Sequence, residues 1–205
     1  MIVELTNYNA LEQELFVEIA NAQLEAKQSS EKINASLPLE LKHREEQLVA
    51  TFDGHRGNSF SKLQDLYSFM DEIYSFVARF TPCKKGCSFC CNIAVSVSVL
   101  EVDYIKMHKR MFRKVVAKES RGSSNPCPFL SKGECSIYDV RPFVCRRHTV
   151  LTMTPSWCHL DKCHTIKLPM ISFTEIDKVY EQILSESGTQ SEIIDIREVL
   201  KGKVT

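Results

Sequence analysis

A mainly α-helical fold around a small, irregular cysteine-rich core is what the sequence predicts, and three observations carry that expectation. Apolar residues recur at helical spacing over 63–80, and 174–187 reads as a further helix closed by Gly188. Only 93–99 alternates apolar and polar residues as a half-buried strand does. All nine cysteines lie between positions 83 and 163. The expected single body divides along the chain into a helical part over 1–82, a cysteine core over 83–167 and a helical tail over 168–205.

The N-terminal part predicts three helices. Asn9 with Glu12 three positions on is a start signal, and Leu11, Leu15, Ile19 and Ala22 follow as one apolar stripe. A second helix begins near Pro38, carries Leu41, Leu48 and Phe52, and stops before Gly54. The third starts after Asn58 or Ser59, with Leu63, Leu66, Met70, Ile73, Val77 and Phe80 on one face, and Pro82 stops it. That face reads as core rather than as a cofactor pocket. Further on, Ile93–Val99 reads as a strand, and Ser98 with Glu101 as a capping box opening a helix to about Glu119. That helix turns Tyr104, Ile105, His108, Phe112 and Val115 inward. Residues 129–138 read as a hairpin about Gly133, Arg141-Pro142 as the start of a turn or short helix bearing Cys145, and 149–171 as irregular. Ser191–Leu200 closes the chain as a short helix.

A chain of 205 residues, 43% hydrophobic and 25% charged, has the composition of a soluble globular protein with a core of its own. It excludes a disordered tail, a collagen-like chain and a membrane bundle. No apolar run approaches the roughly 18 residues a membrane span requires, and the N-terminus does not read as a secretory signal. The expected compartment is therefore the reducing cytoplasm. There, clustered cysteines bind metal or do redox chemistry more often than they form structural disulfides.

Two blocks carry the thiols. Cys83-Lys-Lys-Gly-Cys87-Ser-Phe-Cys90-Cys91 places four within nine residues, a spacing that lets a tight loop turn several sulfurs onto one ion. The second block runs Cys127-Pro-Phe-Leu, Gly133, Cys135-Ser-Ile-Tyr138, Arg141-Pro142, Cys145-Arg146, with Cys158 beyond it. Sulfur-rich sites select zinc, copper(I) or iron–sulfur clusters. His148, His159 and His164 are near enough in sequence to complete a site, but read as loop histidines near the surface. Zero net charge conceals a basic centre: 1–82 is −6, 83–167 is +9 and 168–205 is −3. A basic block invites an anionic partner, nucleic acid included. It equally offsets the charge of thiolate centres, about −2 for each zinc held by four cysteines.

Together these blocks resemble the cysteine-cluster (CxxCxxCC) family, described as a zinc- or iron-chelating domain, over about residues 82–160. Here three residues rather than two separate Cys83 from Cys87, and Asn92 stands where similar proteins often carry histidine. The resemblance implies metal binding by Cys83, Cys87, Cys90, Cys91, Cys127, Cys135 and Cys145, with Cys158 as an eighth ligand. It also favours Arg141 and Arg146 as donors toward the sulfurs from outside the ligand shell. Eight thiolates suit two four-ligand sites, or a cluster plus one ion, and Cys163 is left over.

Three functions follow: a structural zinc centre serving interaction or regulation, an iron–sulfur protein or enzyme, and metal storage or thiol sensing. Cys83-x3-Cys87-Ser-Phe-Cys90 also matches the CxxxCxΦC signature of radical S-adenosylmethionine enzymes, which hold a [4Fe-4S] cluster there. A long helix precedes it and 115 residues follow Cys90, too few for the barrel of those enzymes. Some longer proteins with this domain are similar to cluster-containing protein methylases, which keeps an iron–sulfur enzyme as the alternative. No hydrolase motif or P-loop is present.

Overall fold

The computed structural model describes residues 10–109 and 126–199. The helical frame is organised on α4 (Ser59–Val77), whose start is set by Asn58: its side chain accepts the backbone N–H of Ser61 at 2.9 Å. Leu63, Leu66, Met70, Ile73 and Val77 are fully buried along the expected face. Around α4 pack α5 (Val99–Lys109), α6 (Phe143–Arg147) and α7 (Thr174–Ser187). α7 buries Ile176, Val179, Ile183 and Leu184 and ends at Gly188, where φ of +72° admits glycine without strain.

Ahead of α4 the structure departs from expectation twice. α1 (Ala10–Ser36) buries Ala22, Ala26, Ser29 and Ile33, whereas Leu15 is exposed and Leu11 lies outside what is described of side chains. Polar contacts also tie α1 to the body. Glu18 pairs with Lys162 at 2.7 Å, and Glu25 accepts the N–H of Met153 at 3.0 Å. The single helix expected over 38–53 is two, α2 (Leu39–Glu46) and α3 (Leu48–Asp53), broken at Gln47. The Thr51 hydroxyl donates to the Gln47 carbonyl at 3.0 Å, a back-bond that bends helices.

The strand over 93–99 is only β1 (Ser96–Ser98), and its partner lies where the sequence suggested a helix. β4 (Ile193–Asp195) pairs with it antiparallel, Val97 opposite Ile194. The β-branched pair Ile193-Ile194 suits an edge beside β1, and that tertiary pairing outweighs helical propensity. The hairpin is as expected: β2 (Leu130–Ser131) and β3 (Glu134–Cys135) meet across Lys132-Gly133. Both turn residues have positive φ, +51° and +81°, the geometry that matches strand twist. α5 is described to Lys109, so Phe112 and Val115 lie outside the described residues; His108 is at the surface, against Tyr104.

The capping box is present and does more than cap. Glu101 accepts from the backbone N–H of Ser98 at 2.8 Å, and the Ser98 hydroxyl accepts from the N–H of Glu101 at 3.2 Å. The same carboxylate, 1% exposed, also accepts from Tyr67 on α4, Tyr180 on α7 and the N–H of Phe143, each at 2.7 Å. Burial, followed by the charge of Glu101, pushes the phenols of Tyr67 and Tyr180 upward, so both stay protonated as donors. One acid thus ties α4, α5, α6 and α7 together and sets where α6 begins. Among the described residues, no helix is long and apolar enough to cross a membrane.

Candidate metal centre

Four chain segments bring the thiols together. The first loop leaves α4 through a 3₁₀ turn, Ala78–Phe80. Its next turn closes with the N–H of Cys87 on the carbonyl of Lys84 at 3.0 Å, and Gly86 there has φ of +94°. A second 3₁₀ turn, Phe89–Asn92, carries Cys90 and Cys91. The N–H of Cys127 donates to the carbonyl of Cys91 at 2.6 Å, joining the first loop to the hairpin segment. Cys127 and Cys135 sit at the two ends of that segment, half-buried against the core. α6 delivers Cys145, and the chain leaving it donates the N–H of Val150 to Cys83 Sγ at 3.4 Å. Cys158 ends the 3₁₀ turn Pro155–Cys158, which packs on Phe89–Asn92.

A cavity of about 430 Å³ opens between these segments. Cys83, Cys87, Cys90, Cys145 and Cys158 line it, together with Tyr74, Arg141, Arg146, His148 and Thr149. Cys91 lies beside Cys90, within hydrogen-bond reach. Cys127 and Cys135 do not line the cavity, but Cys90 is near enough to disfavour ionisation of both. Cys163 is turned to the carbonyl of Leu160. All nine cysteines are free thiols.

Burial and neighbouring thiols push Cys83, Cys90, Cys127, Cys135, Cys145 and Cys158 away from ionisation. Burial pushes Cys158 up to about 12, with Cys83, Cys90 and Cys87 adding to it. Burial pushes Cys127 up to about 11 and Cys145 higher still. Cys83 also rises through burial, offset by the N–H of Val150. Cys90 rises most, first through its contact with Cys91 and then through burial. Cys90 raises each of Cys83, Cys127, Cys135, Cys145 and Cys158, so it is the electrostatic centre of the group. Thiols that resist ionisation because further thiolates stand nearby are those a cation converts to ligands. Among the described residues, no three His, Cys, Asp or Glu side chains stand in the geometry of a closed metal site. The donor set itself is soft, gathered from separate segments, and already receives one backbone N–H on sulfur, which fits a thiolate-bound metal.

The two arginines differ. Arg146, 3% exposed, gives its guanidinium to Asp71, to the carbonyl of Arg141 at 2.9 Å and to that of Asp139 at 2.5 Å, over the ring of Tyr67. Those bonds hold the turn before α6 against α4. Arg141 lies over the ring of Tyr138 at 4.1 Å, and its Nε has no partner. His148 is a cavity residue rather than a surface one, its pKa lowered by burial and then by Arg147. His159 is exposed, paired with Asp161 and edge-on to Phe89; His164 is exposed. Sequence reasoning missed Tyr74 and Thr149. Tyr74 lies one turn beyond Met70 on the core face of α4, a position that signals burial and nothing more, and Thr149 carries no sequence signal.

Residues 82–166 match the family model CxxCxxCC, described as a putative zinc- or iron-chelating domain. No curated protein and no solved structure matches this chain. The matched residues hold all nine cysteines, β1, α5, the hairpin and α6, while α4 and α7 lie outside the matched stretch and pack against it.

Proposed function

We propose that the CxxCxxCC domain of this protein binds zinc or iron through the thiolates of Cys83, Cys87, Cys90, Cys91, Cys127, Cys135, Cys145 and Cys158, in a centre with one open face. The observation that carries this reading is the gathering of five thiols from separate segments around a single cavity, with Cys91 beside Cys90 and with Cys127 and Cys135 near enough to feel its charge. A structural zinc site is closed by four ligands and leaves no room beside the ion. A cavity of about 430 Å³ is far larger than a lone ion needs and falls among small-molecule pockets. Its size favours an iron–sulfur cluster, or an ion with an additional ligand, over a purely structural ion. The protein is then a redox, sensing or catalytic protein rather than a zinc-stapled scaffold.

Purification without oxygen, followed by metal analysis, acid-labile sulfide and a visible spectrum, tests the reading. Iron matched by sulfide, with a charge-transfer band, supports the cluster. Zinc in colourless protein supports a mononuclear centre. Protein that takes up no metal after anaerobic reconstitution, with its thiols free, overturns the proposal.

A further inference from the structure

The cavity has a second wall. Four buried side-chain polar atoms among the described residues have no hydrogen-bond partner: Tyr74 Oη, Arg141 Nε, His148 Nε2 and Thr149 Oγ1. All four belong to residues lining the thiol cavity. Tyr74 and Thr149 are more than nine-tenths buried. A buried polar group without a partner costs about 1–3 kcal/mol, and native proteins rarely leave several at one place. Four such atoms, all on residues lining one cavity, call for a partner from outside the chain.

The sulfurs are not that group. None of the four atoms reaches a sulfur, whereas the backbone N–H of Val150 does. The donor inventory selects the ligand instead. An arginine Nε only donates, both hydroxyls donate, and the histidine nitrogen donates in one tautomer. Their common complement is an acceptor-rich group. The charge balance agrees: Arg146 is taken by Asp71, while Arg141 and Lys85 face the ring of Tyr138 and have no carboxylate partner among the described residues. Arginine with hydroxyl donors is the usual recognition set for carboxylate and phosphate.

We infer that the wall formed by Tyr74, Arg141, His148 and Thr149 binds a small oxyanion, a carboxylate or phosphate group, beside the thiolate centre. This deepens the metal-binding reading and rests on it for the second face of the site. The ligand is held with its anionic end on the polar wall and the rest of the molecule toward the thiols.

Calorimetric titration of inorganic phosphate and of malonate into metal-loaded protein tests this, and the two probes distinguish the sources of the oxyanion. Binding of at least one probe is expected. Arg141→Gln is expected to weaken it roughly tenfold, Thr149→Val about threefold, and Lys42→Gln, an exposed lysine on α2, not at all. Heat from neither probe, full binding by Arg141→Gln, or an equal loss in Lys42→Gln overturns the inference. Where Arg141→Gln loses its metal, Thr149→Val decides: metal kept with weaker anion binding supports the polar wall, and unchanged binding refutes it. The same titration on metal-free protein separates the two readings. Anion uptake by a chain that never takes metal sinks the thiolate centre and keeps the wall; metal uptake without anion binding sinks the wall alone.

Discussion

The helical frame and the cysteine region treat their polar groups in opposite ways. Glu101 sits in the frame with five hydrogen bonds to its carboxylate and two tyrosines held as donors. Little more than a helix away, the cavity leaves four buried polar atoms unmatched and a set of thiols pushed away from ionisation. The first arrangement is complete without any other molecule. The second, on the proposed reading, is completed by a cation on one wall and an acceptor on the other. The difference separates residues that hold the fold from residues that await a ligand, although both are buried and polar.

The contrast breaks most severely at Glu101. Glu101→Ala strands Tyr67, Tyr180 and the N–H of Phe143 in the core and should cost about 3–5 kcal/mol, read as the unfolding midpoint in urea. Metal-loaded and metal-free protein should lose similar amounts, because the frame does not depend on the ligand. A small effect would mean that water replaces the carboxylate.

Cys90→Ser should come next. Loss of the thiol that acts on five of the others should lower metal retention more than tenfold, beyond what loss of an outer partner costs, measured by metal content after dialysis against a chelator. The metal-free stability of the frame should be unchanged. Cys163→Ser, whose thiol is turned to a carbonyl, should keep the metal. Equal losses in both variants would dissolve the distinction between the clustered thiols and the outlying one.

Alkaline pH sharpens the comparison further. Thiols with a folded pKa above the unfolded value favour folding below the unfolded value and lose that stability as pH rises through the folded one. Cys127 and Cys158, at about 11 and about 12, set the window: metal-free protein should lose about 1 kcal/mol per pH unit per thiol from roughly pH 9 upward. Metal-loaded protein, its thiolates already formed, should not show this slope. Thermal melts at several pH values, with and without metal, check the difference. The smallest effect is expected at Gly188→Ala in the frame. With φ of +72° and no atom within 4 Å of the added methyl, the cost is conformational alone, about 1 kcal/mol.

Much of the frame was legible because periodicity reports burial directly. The stripe Leu63, Leu66, Met70, Ile73 and Val77, the Asn58 cap and the Gly188 stop are local signals with local causes. Residues 191–200 were misread because the pairing of Ile194 with Val97 joins positions nearly half the chain apart, invisible in a window of ten residues. Leu15 was misread because an apolar face shows that a helix can be buried, not how far the body beneath it extends. In the site, the cysteines announced themselves by number and spacing, and Arg141 by its motif. Tyr74 and Thr149 did not, since an unmatched hydroxyl is defined by the neighbours it lacks. The capping box at Ser98 and Glu101 was visible, but its second role as the acceptor for three other elements was not.

The pairing of β1 with β4 sets an order of events during synthesis. Residue 97 leaves the ribosome long before residue 194, and the Glu101 carboxylate cannot collect its donors until Tyr180 has followed. Every cysteine is made before either contact can form. For that interval the thiols are borne on a growing chain whose clasp has not been made, open to whichever metal or oxidant arrives first. A metal that reaches the thiols in that interval meets them before the β1–β4 clasp has formed.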